Sequence, residues 1–167
     1  MKWYSTKTYG NDQGLSCCFR QWKADHSHCS LIHGYSLGFK LVFECDKLDA
    51  RNWVMDFGGL KDLKEWLKYM FDHTLVIAES DPKYDELERL GKIGLADVRV
   101  VDAVGAEKFA ELVFRKMTEI LDKAREDGKL LNPSVKVKSV ECFEHGANSA
   151  IFEEDNIESE FGTLTSD

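Results

Sequence analysis

The chain offers almost nothing with which to divide it. It has two prolines in 167 residues and no low-complexity tract, so no linker marks a boundary. No internal repeat is visible, which excludes solenoid and propeller arrays. Long apolar runs are missing as well. The opening "MKWYSTKTYGNDQG" lacks the apolar run of a signal peptide, and no stretch approaches membrane-span length. The expectation is a cytoplasmic protein with no membrane partner. Five cysteines, at positions 17, 18, 29, 45 and 142, form an odd set without framework spacing and are read as reduced thiols. A basic surplus is absent too: the formal net charge of −8 excludes a broad nucleic-acid surface, though not a local pocket for a small anion. What is there is 43% hydrophobic residues, enough for one core. One domain is expected over residues 1–154. Residues 155–167 are acidic, lack an apolar face and are expected to be a disordered tail.

Period two runs through "YSLGFKLVFE" (35–44): Tyr35, Leu37, Phe39, Leu41 and Phe43 share one face, which predicts a half-buried strand. The same parity places His33 beside Tyr35. "LSCCFRQWKA" (15–24) is the expected partner strand. The period changes in "DFGGLKDLKEWLKYMF" (56–71), where Leu60, Leu63, Leu67 and Met70 form a helical stripe ending at Asp72 and His73. A short helix is expected within 82–94, and a long one over 106–127 with Phe109, Val113, Met117, Ile120 and Ala124 inward and Gly128 as its stop. In "SVKVKSVECFE" (134–144) the apolar phase slips near Ser139, which predicts a bulge and turns Glu144 to the same side as Val140 and Cys142. "HGANSAIFE" then closes a hairpin. Strands, helices, strands: the expected class is α+β, an antiparallel four-stranded sheet with helices packed on one face.

Chemistry concentrates in "DHSHCSLIHGY" (25–35), which holds three of the five histidines and a cysteine. Three readings fit the segment: a metal site at His26, His28 and His33, a nucleophile Cys29 with a histidine base, or a loop whose histidines bond backbone. A free thiol is more often a small buried hydrophobe, and Cys17, Cys18, Cys45 and Cys142 take that reading. Asp72–His73 ends a helix, where the negative helix end favours a histidine and the carboxylate raises its basicity. The pair serves equally as a polar terminus. Glu144 is the least ordinary residue, because an acid on an inward strand face needs a partner. Its two oxygens suit an amidine edge with parallel N–H donors, or an arginine.

In their order these segments resemble the 6-pyruvoyltetrahydropterin synthase / 6-carboxytetrahydropterin synthase family. "CSLIHGY" (29–35) is similar to its Cys-x-x-x-His-Gly-His, in which the cysteine is catalytic and both histidines bind zinc. "VMDFGGLK" (54–61) resembles its Asp-Phe-x-x-Leu-Lys segment, and "FDHTL" (71–75) its Asp-His pair. "VGAEKFA" (104–110) is similar to the Pro-Thr-x-Glu-Asn opening of its second long helix, and "FEHGANSAIF" (143–152) to its final hairpin, whose glutamate holds the pterin ring. Two positions depart from the pattern: Tyr35 stands at the second histidine of the His-Gly-His, and Lys23 at the histidine that ends the family's first strand.

The resemblance implies the tunnelling fold, with strand pairs of several subunits closing into a barrel and active sites at subunit interfaces. Family members are commonly hexamers made of two trimers. The implied substrate is 7,8-dihydroneopterin triphosphate and the implied cofactor Zn2+, with no nicotinamide or flavin. Carried over residue by residue, Cys29, Asp72 and His73 are catalytic and Glu144 binds the substrate. His33 binds the metal, and the shortened loop makes His26 and His28 its expected companions. Cys29 favours the synthase types, and the expected product is 6-carboxytetrahydropterin, on the branch toward 7-deazaguanine compounds such as queuosine. The alternatives are 6-pyruvoyltetrahydropterin formation, or a non-catalytic pterin-binding oligomer.

Overall fold

The computed structural model describes residues 1–155, so all of the expected tail except Asp155 lies outside the described residues. Eight strands and three α-helices follow one another as β1 (Trp3–Tyr9), β2 (Ser16–Phe19), β3 (His33–Ser36), β4 (Gly38–Cys45), α1 (Lys61–Phe71), β5 (Thr74–Ala78), α2 (Tyr84–Lys92), β6 (Val98–Val101), α3 (Ala106–Glu126), β7 (Lys136–His145) and β8 (Asn148–Glu153). The expected antiparallel sheet exists, in the order β1-β4-β7-β8. A second four-stranded sheet, β3-β2-β5-β6, accompanies it and is mixed: β2 pairs antiparallel with β3 and parallel with β5, and β5 runs parallel to β6.

Two expectations are corrected here. Residues 35–44 are not one strand. The run divides at Leu37, whose N–H leaves the ladder to donate to Leu15 O at 2.9 Å. The half before it joins the second sheet and the half after it the first. The partner of β4 is accordingly β1, and β2 pairs with β3 instead. Asn11 binds the junction, its side-chain amide donating to Ser36 O at 2.8 Å and to Phe143 O at 3.2 Å.

The helices form where the periodicity changes. Asp56 caps a 3-10 turn at Phe57–Leu60 by accepting from Gly58 N, and α1 follows, burying Leu63, Leu67, Met70 and Phe71. α3 lies against β7 and β8, with Phe114 edge-on to Phe152 at 5.0 Å. Its inward face carries Phe109, Val113, Met117 and Leu121, and Gly128 stops it with φ 67. Leu121 is buried on the same stripe, and Ile120 packs half-buried against the core beside it. One core joins Phe39, Leu41 and Phe43 of the first sheet, Phe19 and Val76 of the second, and both helices. α2 covers the opposite face of the second sheet, where Leu87 meets Leu75 and Ile77. The slip read near Ser139 is a bulge, since Val42 faces Ser139 while Phe43 faces Val137.

Candidate active site

Cys29 sits in a 3-10 turn, His28–Ser30, that leaves β2 and returns as β3. Ser27 caps the turn, its Oγ accepting from Cys29 N at 3.0 Å, and Cys29 O accepts from Gln21 N at 2.8 Å. Both backbone groups are thus held while the residue is exposed. The other thiols differ. Cys17, Cys45 and Cys142 are buried, and burial pushes Cys17 up to about 12 and Cys142 upward as well, which keeps those two protonated.

His33 opens β3 opposite Phe19, with its ring 5.1 Å from the Phe19 ring. Its Nδ1 lies 2.8 Å from Leu31 O. A carbonyl only accepts, so Nδ1 carries a proton, and in the neutral ring Nε2 is the free acceptor. Tyr35 is edge-on to His33 at 5.5 Å and meets the His145 ring at 6.3 Å. Burial, then the charges of Glu144 and Cys29, hold the Tyr35 phenol above its ordinary range. It therefore stays a neutral donor between the thiol and the acid. Glu144 is half-buried and stands where the β7–β8 pairing shifts, Phe143 facing Ser149 and His145 facing Asn148. The shift leaves Glu144 outside the ladder and turned toward Tyr35. Glu107, in the first turn of α3, adds its charge near Cys142, as Glu144 does.

Asp72 and His73 form a second group. Their contact, Asp72 Oδ1 to His73 Nδ1, is 2.5 Å. His73 has φ 58, donates its backbone N–H to Ser16 O at 2.7 Å, and leaves its side chain 89% exposed. It borders an open cavity of about 530 Å³ shared with Cys18, Tyr35 and Asp97. Strand β2 separates the two groups: β3, with His33, lies on one side of it and β5, which follows His73, on the other. The structure thus sets His33 and Tyr35 ring to ring with the charges of Glu144 and Cys29 acting on the Tyr35 phenol, and it places His73 across β2 on the cavity that Tyr35 also borders.

The three expected zinc ligands do not gather. Among the described residues no group of three or more His, Cys, Asp or Glu side chains is placed to hold a metal ion. His33 offers Nε2, but His26 and His28 do not join it. Tyr35 turns its phenol toward Glu144, and Lys23 lays its ammonium over the Trp22 ring at 5.0 Å. The donors of a single chain do not fit the three-histidine sphere. The sequence marked Tyr35 only as a departure at the second histidine; the structure adds its ring contacts with His33 and His145, which its place on an apolar strand face did not announce.

This fold, two four-stranded sheets around one core with β3 packed beside β7, is that of the pterin synthases. The chain belongs to the 6-pyruvoyl tetrahydropterin synthase family, whose sequence profile matches residues 11–155. It is 27% identical over 170 residues to the 6-carboxy-5,6,7,8-tetrahydropterin synthase of Aquifex aeolicus, covering 93% of this chain and 100% of that protein. Two solved structures share the fold. An uncharacterized protein of Wolinella succinogenes has a TM-score of 0.73 at 18% identity, over 93% of this chain and 99% of that one. The 6-pyruvoyl tetrahydropterin synthase of Plasmodium falciparum has a TM-score of 0.63 at 13% identity, over 92% and 98%. No helix among the described residues is long and apolar enough to cross a membrane.

Proposed function

We propose that this chain is a 6-carboxy-5,6,7,8-tetrahydropterin synthase, a lyase that acts on 7,8-dihydroneopterin triphosphate on the branch toward 7-deazaguanine compounds. The observation that supports the reading is Tyr35, on whose phenol act both the charge of Glu144, half-buried outside its ladder, and that of the exposed, backbone-anchored Cys29. Glu144 accepts from the two parallel N–H donors of the pterin edge, a charge-assisted pair that fixes the ring. The substrate side chain then extends toward Cys29. As thiolate, Cys29 takes a proton from a carbon of that side chain, and His73, oriented by Asp72, returns or relays protons as triphosphate leaves, the side chain is oxidised at the expense of the dihydropterin ring, and a C–C bond breaks to release the two outer carbons as an aldehyde. Tyr35 donates a hydrogen bond beside them.

Because β2 separates His73 from Cys29, the reading is of a homo-oligomer in which Asp72–His73 of one subunit completes the site of a neighbour. The test is complementation. Cys29→Ala and His73→Ala homo-oligomers should each be inactive on dihydroneopterin triphosphate, and unfolding and refolding them together should restore part of the turnover. If each protein alone is inactive and the mixture stays so, the shared site is wrong. If Cys29→Ala alone keeps full activity, the lyase reading is wrong.

One observation favours a second reading, a pterin-binding oligomer without turnover: Tyr35 stands at the family's second zinc histidine and no three-ligand group forms. Pterin binding by wild-type protein that leaves the triphosphate unchanged selects it.

A further inference from the structure

Beneath the Cys29 turn lies a charge pair that the reaction does not call for. Asp81 follows β5, and its side chain is 1% exposed. Both its oxygens are used. Arg20 Nε donates to Oδ2 at 2.8 Å, Arg20 Nη2 to Oδ1 at 3.1 Å, and Lys83 N to Oδ1 at 2.8 Å. Burial alone would raise this acid, but the Arg20 and Lys83 hydrogen bonds and the Arg20 charge outweigh it and hold the carboxyl below its ordinary value. It is an ionised carboxylate gripped by a two-pronged donor.

The third arm of the guanidinium reaches elsewhere. Arg20 Nη1 donates to Ser30 O at 3.2 Å, on the residue directly after Cys29. The next residue, Gln21, donates its backbone N–H to Cys29 O at 2.8 Å and its side-chain amide to Val104 O at 2.7 Å, where α3 begins. Gly105 makes that last contact possible. Its φ is 116, and a Cβ there would lie 2.9 Å from Gln21 Nε2. Consecutive residues 20 and 21 therefore tie consecutive carbonyls 30 and 29 to the end of β5 and the start of α3. An arginine is needed for this, because a lysine ammonium cannot hold a carboxylate with two parallel bonds and offer a third in another direction.

We propose that the buried Arg20–Asp81 pair is the positioning device of the active site, fixing the turn that presents Cys29. The pair touches no reacting atom and acts only through the backbone at 29 and 30. The inference rests on the proposed role of Cys29, and its test separates the two.

The experiment uses the full-length protein and the variants Asp81→Asn and Arg20→Lys, with Leu121→Ala as a control of reduced stability on α3, whose buried residue is far in sequence from the turn. Amide hydrogen exchange of the segment 27–31 is measured beside kcat and KM on dihydroneopterin triphosphate. In both pair variants exchange in 27–31 should rise at least tenfold. kcat should fall 10- to 100-fold, with KM within threefold, and Arg20→Lys should be the milder of the two. Leu121→Ala should leave exchange in 27–31 and kcat unchanged relative to its other segments. Unaltered exchange in 27–31 in the pair variants overturns the proposal, as does faster exchange with kcat intact. If Asp81→Asn does not fold, Arg20→Lys decides alone. Should Cys29→Ala prove active, the lyase reading falls, while the exchange data still decide whether the pair holds the turn.

Discussion

The first sheet is built from strands of seven, eight, ten and six residues, and the second from strands of four, four, five and four. The long strands carry the core: Phe39, Leu41, Phe43 and Val140 have no exposed surface. The short strands carry most of the proposed site residues at their ends. His33 opens β3, Asp72–His73 precede β5, and Asp81 and Arg20 follow β5 and β2. Only Glu144 comes from the long-strand sheet, at the point where its pairing shifts. The difference teaches that the scaffold and the site are largely separate in this chain. Side chains at strand ends are free of the ladder's alternation and can be aimed, whereas those in the middle of long strands are fixed by it.

That separation can be broken by mutation. Cys29→Ala should lower turnover about a thousandfold, within the span usual for a lost proton carrier, and leave the melting temperature in place. Turnover and thermal unfolding on one preparation check both halves. Phe39→Ala should do the reverse, costing about 3–5 kcal/mol in denaturant unfolding, whereas Leu75→Ala in the short-strand sheet should cost about 2 kcal/mol. Equal costs would mean that the second sheet is as much scaffold as the first. Glu144→Gln should weaken pterin binding by about 1–3 kcal/mol, read by calorimetry, without loss of fold. Unchanged affinity would move the pterin edge to another acid. The smallest effect is expected at His73. Asparagine tolerates its left-handed backbone, so His73→Asn should shift stability by less than about 0.5 kcal/mol, as surface changes usually do. Its turnover should nevertheless fall. A larger stability loss would show that the imidazole holds the end of β5.

The same contrast decided what could be read from the sequence. The long strands announce themselves: the alternation of 35–44 and the slip at Ser139 are physical consequences of one buried face and one bulge. The helices of 56–71 and 106–127 are equally plain, because an apolar stripe three and four residues apart has no other use. The second sheet was not legible. Residues 74–78, "TLVIA", are buried throughout because the core packs one face and α2 the other, so no alternation exists to be read. β2 was expected within 15–24 and β3 by the parity of His33 and Tyr35, but neither showed that it belongs to a separate sheet. Among the candidate site residues, Cys29, His33 and Glu144 stood out by type and spacing; in the structure His33 stacks edge-on with Tyr35, on which the charges of Glu144 and Cys29 act. The companionship of His26 and His28 did not follow from nearness in sequence: among the described residues they do not join His33 in a three-ligand group. Arg20 and Asp81, 61 positions apart, carry no mark of their pairing.

Leu37 alone lies between β3 and β4, so a single residue carries the chain from one sheet to the other. A join that short has no slack. Neither sheet can melt without pulling through Leu37 on the first strand of the other, and Asn11 binds the join from both sides. The consequence concerns cooperativity. Although the molecule contains two sheets with separate tasks, they belong to one folding unit, and protection against exchange in β3 should be lost together with that in β4. A partly unfolded state that keeps the scaffold while releasing the site is closed to this chain at Leu37. It remains open only in the loop between Arg20 and Ser30.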